Sequence, residues 1–152
     1  MIKLNFFKHK LKTLKKHKVD KIQYSMFEQS IMNKVLLHKR SDTIIYYAKK
    51  LKNISNKKLN PLVVDKLLSS YKQMNQQQRL DVLIVIEGSL IEKHFPFISS
   101  TIQTSNCKRV EEECFLRLDE FEQTEQKSSL IAQLSYCSQS TFIRRTCLRQ
   151  AK

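Results

Sequence analysis

Apolar residues recur along this chain at steps of three and four, the spacing that gathers them on one face of an α-helix. Leu4, Phe7, Leu11 and Leu14 form the first such stripe, over 2–18, with Lys or His at most other positions. Tyr24, Phe27, Ile31 and Val35 form the second, over 22–38, widened by Met32 and Leu36. Ser41-Asp42 then supplies an N-cap signal for a helix carrying Ile44, Ile45, Ala48 and Leu51. The polar, basic stretch from Lys52 to Asn60 reads as a loop.

Asn60-Pro61 is a strong start signal, because Asn caps and Pro is pre-organised for the first helical position. Leu62, Val63, Leu67, Leu68 and Tyr71 follow at helical spacing. Asn75 with Gln78 three residues later predicts a capping box for a segment from Leu80 to Phe95. Its run Val82-Leu83-Ile84-Val85-Ile86 would also suit a buried strand, and periodicity alone does not decide. Length does: the apolar pattern continues through Leu90, Ile91 and Phe95, and no partner strand is evident, so a buried helix is predicted, with Gly88 allowing close packing.

Pro96 opens a short helix with Phe97, Ile98 and Ile102, and Asn106 is positioned to cap another with Val110, Cys114, Leu118 and Phe121. After the polar 123–129 stretch come a stripe of Leu130, Ile131, Leu134 and Cys137 and a last one of Phe142, Ile143 and Cys147. Short helices in this number, tightly connected, fit an array better than a four-helix bundle. The glycine content agrees: Gly88 is the only glycine, whereas sheets joined by tight turns need positive-φ residues. The class is therefore all-α, in a single domain over 1–152 that is long enough to bury a core unaided.

Pro61 and Pro96 stand 35 residues apart, and each begins a Pro-led helix, a polar turn with Asn75 or Asn106, and a second helix. The segments at 22–38 with 41–54, and 126–137 with 139–150, supply further pairs. A period of this size is the sign of a helical solenoid, in which each pair buries one face on its neighbours. With Pro96-Phe97-Ile98, Ile102, Asn106, Val110, Cys114 and Leu118, the chain resembles a HEAT-type repeat, best over 61–123. The copy from Pro61 has a Gln-rich turn and Arg79 without the usual Asp before it, and 1–60 matches only in helix count. The resemblance implies antiparallel pairs stacked as a short HEAT-like alpha-solenoid; an irregular helical bundle is the alternative. Some HEAT-like proteins are DNA glycosylases with a Trp-lined basic groove, but this chain has no Trp, and that activity is not carried over.

Charge changes the picture from fold to partner. Residues 1–60 hold 15 Lys and one Arg against Asp20, Glu28 and Asp42, while 61–152 is nearly neutral, within a total of +14. Lys8, Lys10, Lys12, Lys15, Lys16, Lys18 and Lys21 crowd the first stripe. Arg40, Lys49, Lys50, Lys52, Lys57 and Lys58 form a second cluster. Such density is the electrostatic footprint of a phosphate-backbone binder. The excess of Lys over Arg favours point-charge contact over bidentate base reading. Tyr46 and Tyr47 lie between the clusters, where they could stack on bases or pack between helices. A solvated, solubilising face is the default reading of Lys-rich helices, but codon bias would spread Lys along the whole chain. The 2–18 stripe under its Lys collar would also suit an anionic lipid surface, although docking on the next helix explains it equally.

Glu111, Glu112, Glu113, Asp119, Glu120, Glu122 and Glu125 make 111–125 acidic. Of these, Glu111, Glu112, Asp119 and Glu122 are the candidate contacts for a basic partner, against the default of a solvated face. Catalysis has little support: His9, His17, His38 and His94 are scattered, no HExxH occurs, and one glycine cannot build a phosphate loop. Cys107, Cys114, Cys137 and Cys147 show no CxxC spacing and read as reduced thiols packed as small hydrophobes in a cytoplasmic protein. No metal, cofactor or small-molecule substrate is expected, nor a membrane span, which needs about 20 apolar residues. The start of the chain is too interrupted by Lys for a secretory signal. The expected function is a non-enzymatic scaffold that binds nucleic acid, or else an acidic protein surface, through the basic third. The alternative is a protein-interaction adaptor or inhibitor gripping its partner with a helical face.

Overall fold

The computed structural model describes residues 24–56 and 58–150, and these are helices and connecting turns with no strand among them. In chain order they are α1 (Met26–Leu37), α2 (Ser41–Ser55), α3 (Pro61–Ser70), α4 (Gln76–Val85), α5 (Phe95–Thr104), α6 (Lys108–Arg117), α7 (Glu125–Cys137) and α8 (Thr141–Gln150). Single 3-10 turns occupy Tyr71–Gln73, Glu92–His94 and Leu118–Glu120. The helix expected over 2–18 lies outside the described residues.

Local chemistry sets most helix starts. The Ser25 hydroxyl accepts the Glu28 N–H at 3.2 Å while the Glu28 carboxylate accepts the Ser25 N–H at 2.6 Å, a closed capping box. Asn60 accepts from Leu62 N–H at 2.9 Å, with Pro61 at the first helical position. Asn75 and Gln78 exchange the two bonds that their spacing predicts. Two starts differ from expectation. Arg40, not Ser41, occupies the cap position of α2, and Asp42 accepts from the next N–H, of Thr43. Cys107, not Asn106, occupies the cap position of α6; its side chain makes no capping bond, and its N–H is donated to Ser105 Oγ at 3.2 Å.

The segment from Leu80 to Phe95 is not one helix. Helix α4 stops at Val85, and Gly88 turns the chain at φ 72. Nothing lies within 4 Å of where a Gly88 Cβ would stand, so its role is backbone freedom and not close packing. Beyond it Leu90 reaches the core, a 3-10 turn follows, and α5 begins at Phe95. The apolar pattern survived the turn because Ile86 and Leu90 are buried on either side of it.

Three consecutive pairs pack closely, α1/α2, α5/α6 and α7/α8, whereas α3 lies on α1 and α2, and α4 lies on α2 and α6. The second helices lie side by side, α2 on α4, α4 on α6 and α6 on α8, and α1 rests on α3. Gln103 of α5 donates to Gln133 of α7 at 2.9 Å, continuing the layer of first helices. Between the layers runs one apolar core in which Ile44, Leu51, Leu67, Leu83, Ile98, Leu118 and Ile143 are essentially inaccessible. Each such side chain contributes about 1.5–3 kcal/mol by leaving water.

Candidate anion-binding surface

The turn His38–Arg40 folds α2 back on α1 and presents the basic residues of the first pair. The loop after α2 is fastened from below. Tyr24 donates to the Lys58 carbonyl at 3.0 Å and accepts the Asn60 N–H at 2.9 Å. Burial holds the Tyr24 hydroxyl above its ordinary pKa, so it stays a donor. Lys58 is thereby held on an exposed, positioned loop.

The structure divides the predicted cations into three groups. Lys8, Lys10, Lys12, Lys15, Lys16, Lys18, Lys21 and Lys57 lie outside the described residues. Arg40, Lys49 and Lys52 have partners within the protein. Arg40 forms a two-point contact with Asp42, at 2.8 and 3.3 Å, and this pairing holds the Asp42 carboxyl below its usual range. Lys49 bridges to Asp81 of α4 at 3.0 Å. Lys52 is a junction residue: its ammonium donates to the Glu87 carbonyl and, at 3.3 Å, to Ser89 Oγ. Burial pushes its pKa down, opposed by the charges of Glu120 and Glu87. Lys50 and Lys58 are exposed.

Two cations and a ring that the sequence clusters omitted join them. Lys34 and Lys39 are exposed beside the same turn, and Lys34 Nζ stands 5.2 Å from the centroid of the Tyr47 ring. His38 stacks on Tyr47 with centroids 5.8 Å apart and ring planes 17° from parallel. Part of the signal was present in the sequence, since His38 directly follows α1, four residues after Lys34. What was missing was the tight turn that brings Tyr47 against them.

The acidic stretch is not one open face. Glu111 is buried, with one carboxylate oxygen accepting from Ser138 Oγ and the other without a hydrogen-bond partner. Glu112 accepts from Ser140 Oγ at 2.6 Å. These two therefore hold the α7–α8 turn to α6, and Glu111, being buried, is not an open contact for a partner, whereas Glu112 stays half-buried. Arg117, buried, lies between Glu87 (3.3 Å), Glu120 (3.7 Å) and Glu113 (3.9 Å) and neutralises the middle of the run, though its Nη1 lacks hydrogen-bond geometry to any of them. Asp119 and Glu122 are exposed, the latter with its backbone N–H donated to Glu92 at 2.9 Å.

The buried His94 donates or accepts through Nε2 with Asp65 at 2.9 Å, and its Nδ1 receives the Ile91 N–H at 3.1 Å. With Nδ1 an acceptor, Nε2 carries the proton donated to Asp65. It is a satisfied junction residue whose carboxylate partner is Asp65.

A cleft of about 480 Å³ opens between α6, α7 and α8, floored by Phe115, Leu118 and Ile131, and none of the basic residues of the first pair lines it. Among the described residues no group of three or more His, Cys, Asp or Glu side chains is arranged to hold a metal ion. No described helix is long and apolar enough to cross a membrane. Comparison of the chain with protein-family models, with characterised proteins and with solved structures returns no match.

Proposed function

We propose that the protein is a non-enzymatic helical scaffold that binds an anionic macromolecule, nucleic acid, through the basic residues of its N-terminal third. One observation carries this reading: most acidic residues of the body, Asp119, Glu122 and Glu125 excepted, have partners within the protein, whereas four lysines of the first pair are exposed. Asp65, Asp81, Glu87, Glu92, Glu111, Glu112, Glu113 and Glu120 all have hydrogen-bond or ion-pair partners within the stack. Lys34, Lys39, Lys50 and Lys58 are all exposed. By sequence the first 60 residues hold 15 Lys and one Arg against three acidic residues, a balance that attracts anions. Compact ammonium groups on a folded surface suit phosphate contact without base reading.

The test is binding of labelled DNA and RNA by the full chain across a salt series. Affinity falls steeply with salt if lysines displace counterions from phosphates. A variant with Lys8, Lys12, Lys15 and Lys16 changed to Glu loses most of that affinity. Absence of binding at low salt overturns the reading. A partner captured equally well at high salt points instead to an adaptor that grips protein through a helical face.

A further inference from the structure

The His38–Arg40 turn carries more than charge. Tyr47 is half-buried and accounts for itself structurally, since Lys34 sits over its ring and His38 stacks on it, which locks α1 to α2. Tyr46 has no such role. Its ring meets Tyr47 edge-on, at 5.1 Å between centroids and 74° between planes, and it remains 58% exposed. His38 is exposed as well. Lys50 stands four residues from Tyr46 and Lys49 three, so both share its helix face. Lys39 and Arg40 lie in the turn beside His38.

Exposed rings set among ammonium groups are the arrangement that binds unpaired nucleotides: bases stack on the rings while lysines follow the phosphates. A duplex hides its base faces in the stack and would gain only the lysine contacts. A base-free polyanion would likewise leave the rings unused. Aromatic stacking is also indifferent to base identity, since every base has a π-face.

We propose that Tyr46 and His38 form a stacking platform for unpaired bases, so that the ligand of this surface is single-stranded nucleic acid; this rests on the anion-binding reading above. The test measures binding of the full chain at low salt to four probes: oligo(dT), oligo(U), a DNA duplex of the same length, and inorganic polyphosphate. Each is repeated with Tyr46→Ala and Tyr46→Phe, whose exposed position spares the fold; matching thermal melts verify this. The single strands bind more tightly than the duplex. Tyr46→Ala weakens single-strand binding by about fivefold or more while leaving polyphosphate binding unchanged. Tyr46→Phe, which keeps the ring, retains it. The chain has no Trp, so tyrosine emission is directly readable, and its quenching by oligo(dT) shrinks in Tyr46→Ala. Equal affinity of Tyr46→Ala and the parent chain for oligo(dT) and oligo(U) overturns the platform but leaves the anion-binding reading standing. Failure of all four probes to bind at low salt overturns both. The DNA and RNA arms show which backbone is preferred.

Discussion

The Glu120 carboxylate accepts the backbone N–H of Gly88, 32 residues earlier, at 2.9 Å. Its second oxygen accepts the Leu90 N–H at 3.1 Å. One side chain thus holds the turn after α4 in shape. The other junctions follow the same rule. Lys49 to Asp81, Lys52 to Ser89, His94 to Asp65, Glu122 to Glu92 and Ser138 to Glu111 join residues 27 to 37 apart. Each of these polar ties therefore spans about two helices and the turn between them.

Glu120→Ala removes both acceptors at once and leaves the Leu90 N–H buried without a partner. The expected loss is about 1–3 kcal/mol. Glu120→Gln keeps one strong acceptor and loses less. Urea unfolding checks this as a lower midpoint with an unchanged slope. A Glu120→Ala midpoint equal to that of the parent chain would show that water replaces the carboxylate at no cost.

Gly88→Ala separates conformational strain from crowding. An added Cβ meets no atom within 4 Å, but the residue must stay at φ 72. Left-handed backbone costs an L-residue about 1–2 kcal/mol, and that is the whole expected effect. Gly88→Asn costs less, since Asn56 of this chain already adopts φ 46. Thermal melts ranking Gly above Asn above Ala confirm the assignment, and Ala equal to Gly refutes it.

Helix type and the Pro61 and Asn75 starts were legible in the sequence, because capping and periodicity act over a few residues. The break after Val85 was not, because Ile86 and Leu90 continue the apolar pattern across the Gly88 turn. Lys52, Glu111 and Glu112 read as surface charges because nothing local distinguishes a solvated Lys or Glu from one tied to a residue about 30 positions away. The same limit concealed the Lys34–His38–Tyr47 cluster, which exists only once α2 folds back on α1.

Acid weakens the junction at Asp65. Partial burial pushes its carboxyl pKa up, but hydrogen bonds from Lys93 (2.6 Å) and His94 (2.9 Å) outweigh that and leave it below the ordinary value. A carboxyl with a depressed native pKa contributes stability that is fully present above its unfolded value, near 4, and is lost as pH falls through the native one. Asp65→Asn therefore lowers the urea midpoint at neutral pH, and the gap to the parent chain closes below about pH 4. A gap that stays constant with pH would show that shape, and not charge, is what Asp65 supplies.

The four cysteines provide a map of packing that needs no mutation. Thiolate, not thiol, is the reactive form. Cys137 is exposed and Cys107 half-buried beside the Gln76 amide, whereas Cys114 and Cys147 lie in the core. Burial pushes the Cys114 thiol up to about 12 and raises that of Cys147 as well. At mildly alkaline pH a disulfide reagent therefore labels Cys137 first and Cys107 more slowly, and Cys114 and Cys147 follow only as the stack opens. In denaturant all four react together. Mass-spectrometric assignment of the labelled peptides checks the order, and Cys114 reacting as fast as Cys137 would show that α6 is not packed between α4 and α8.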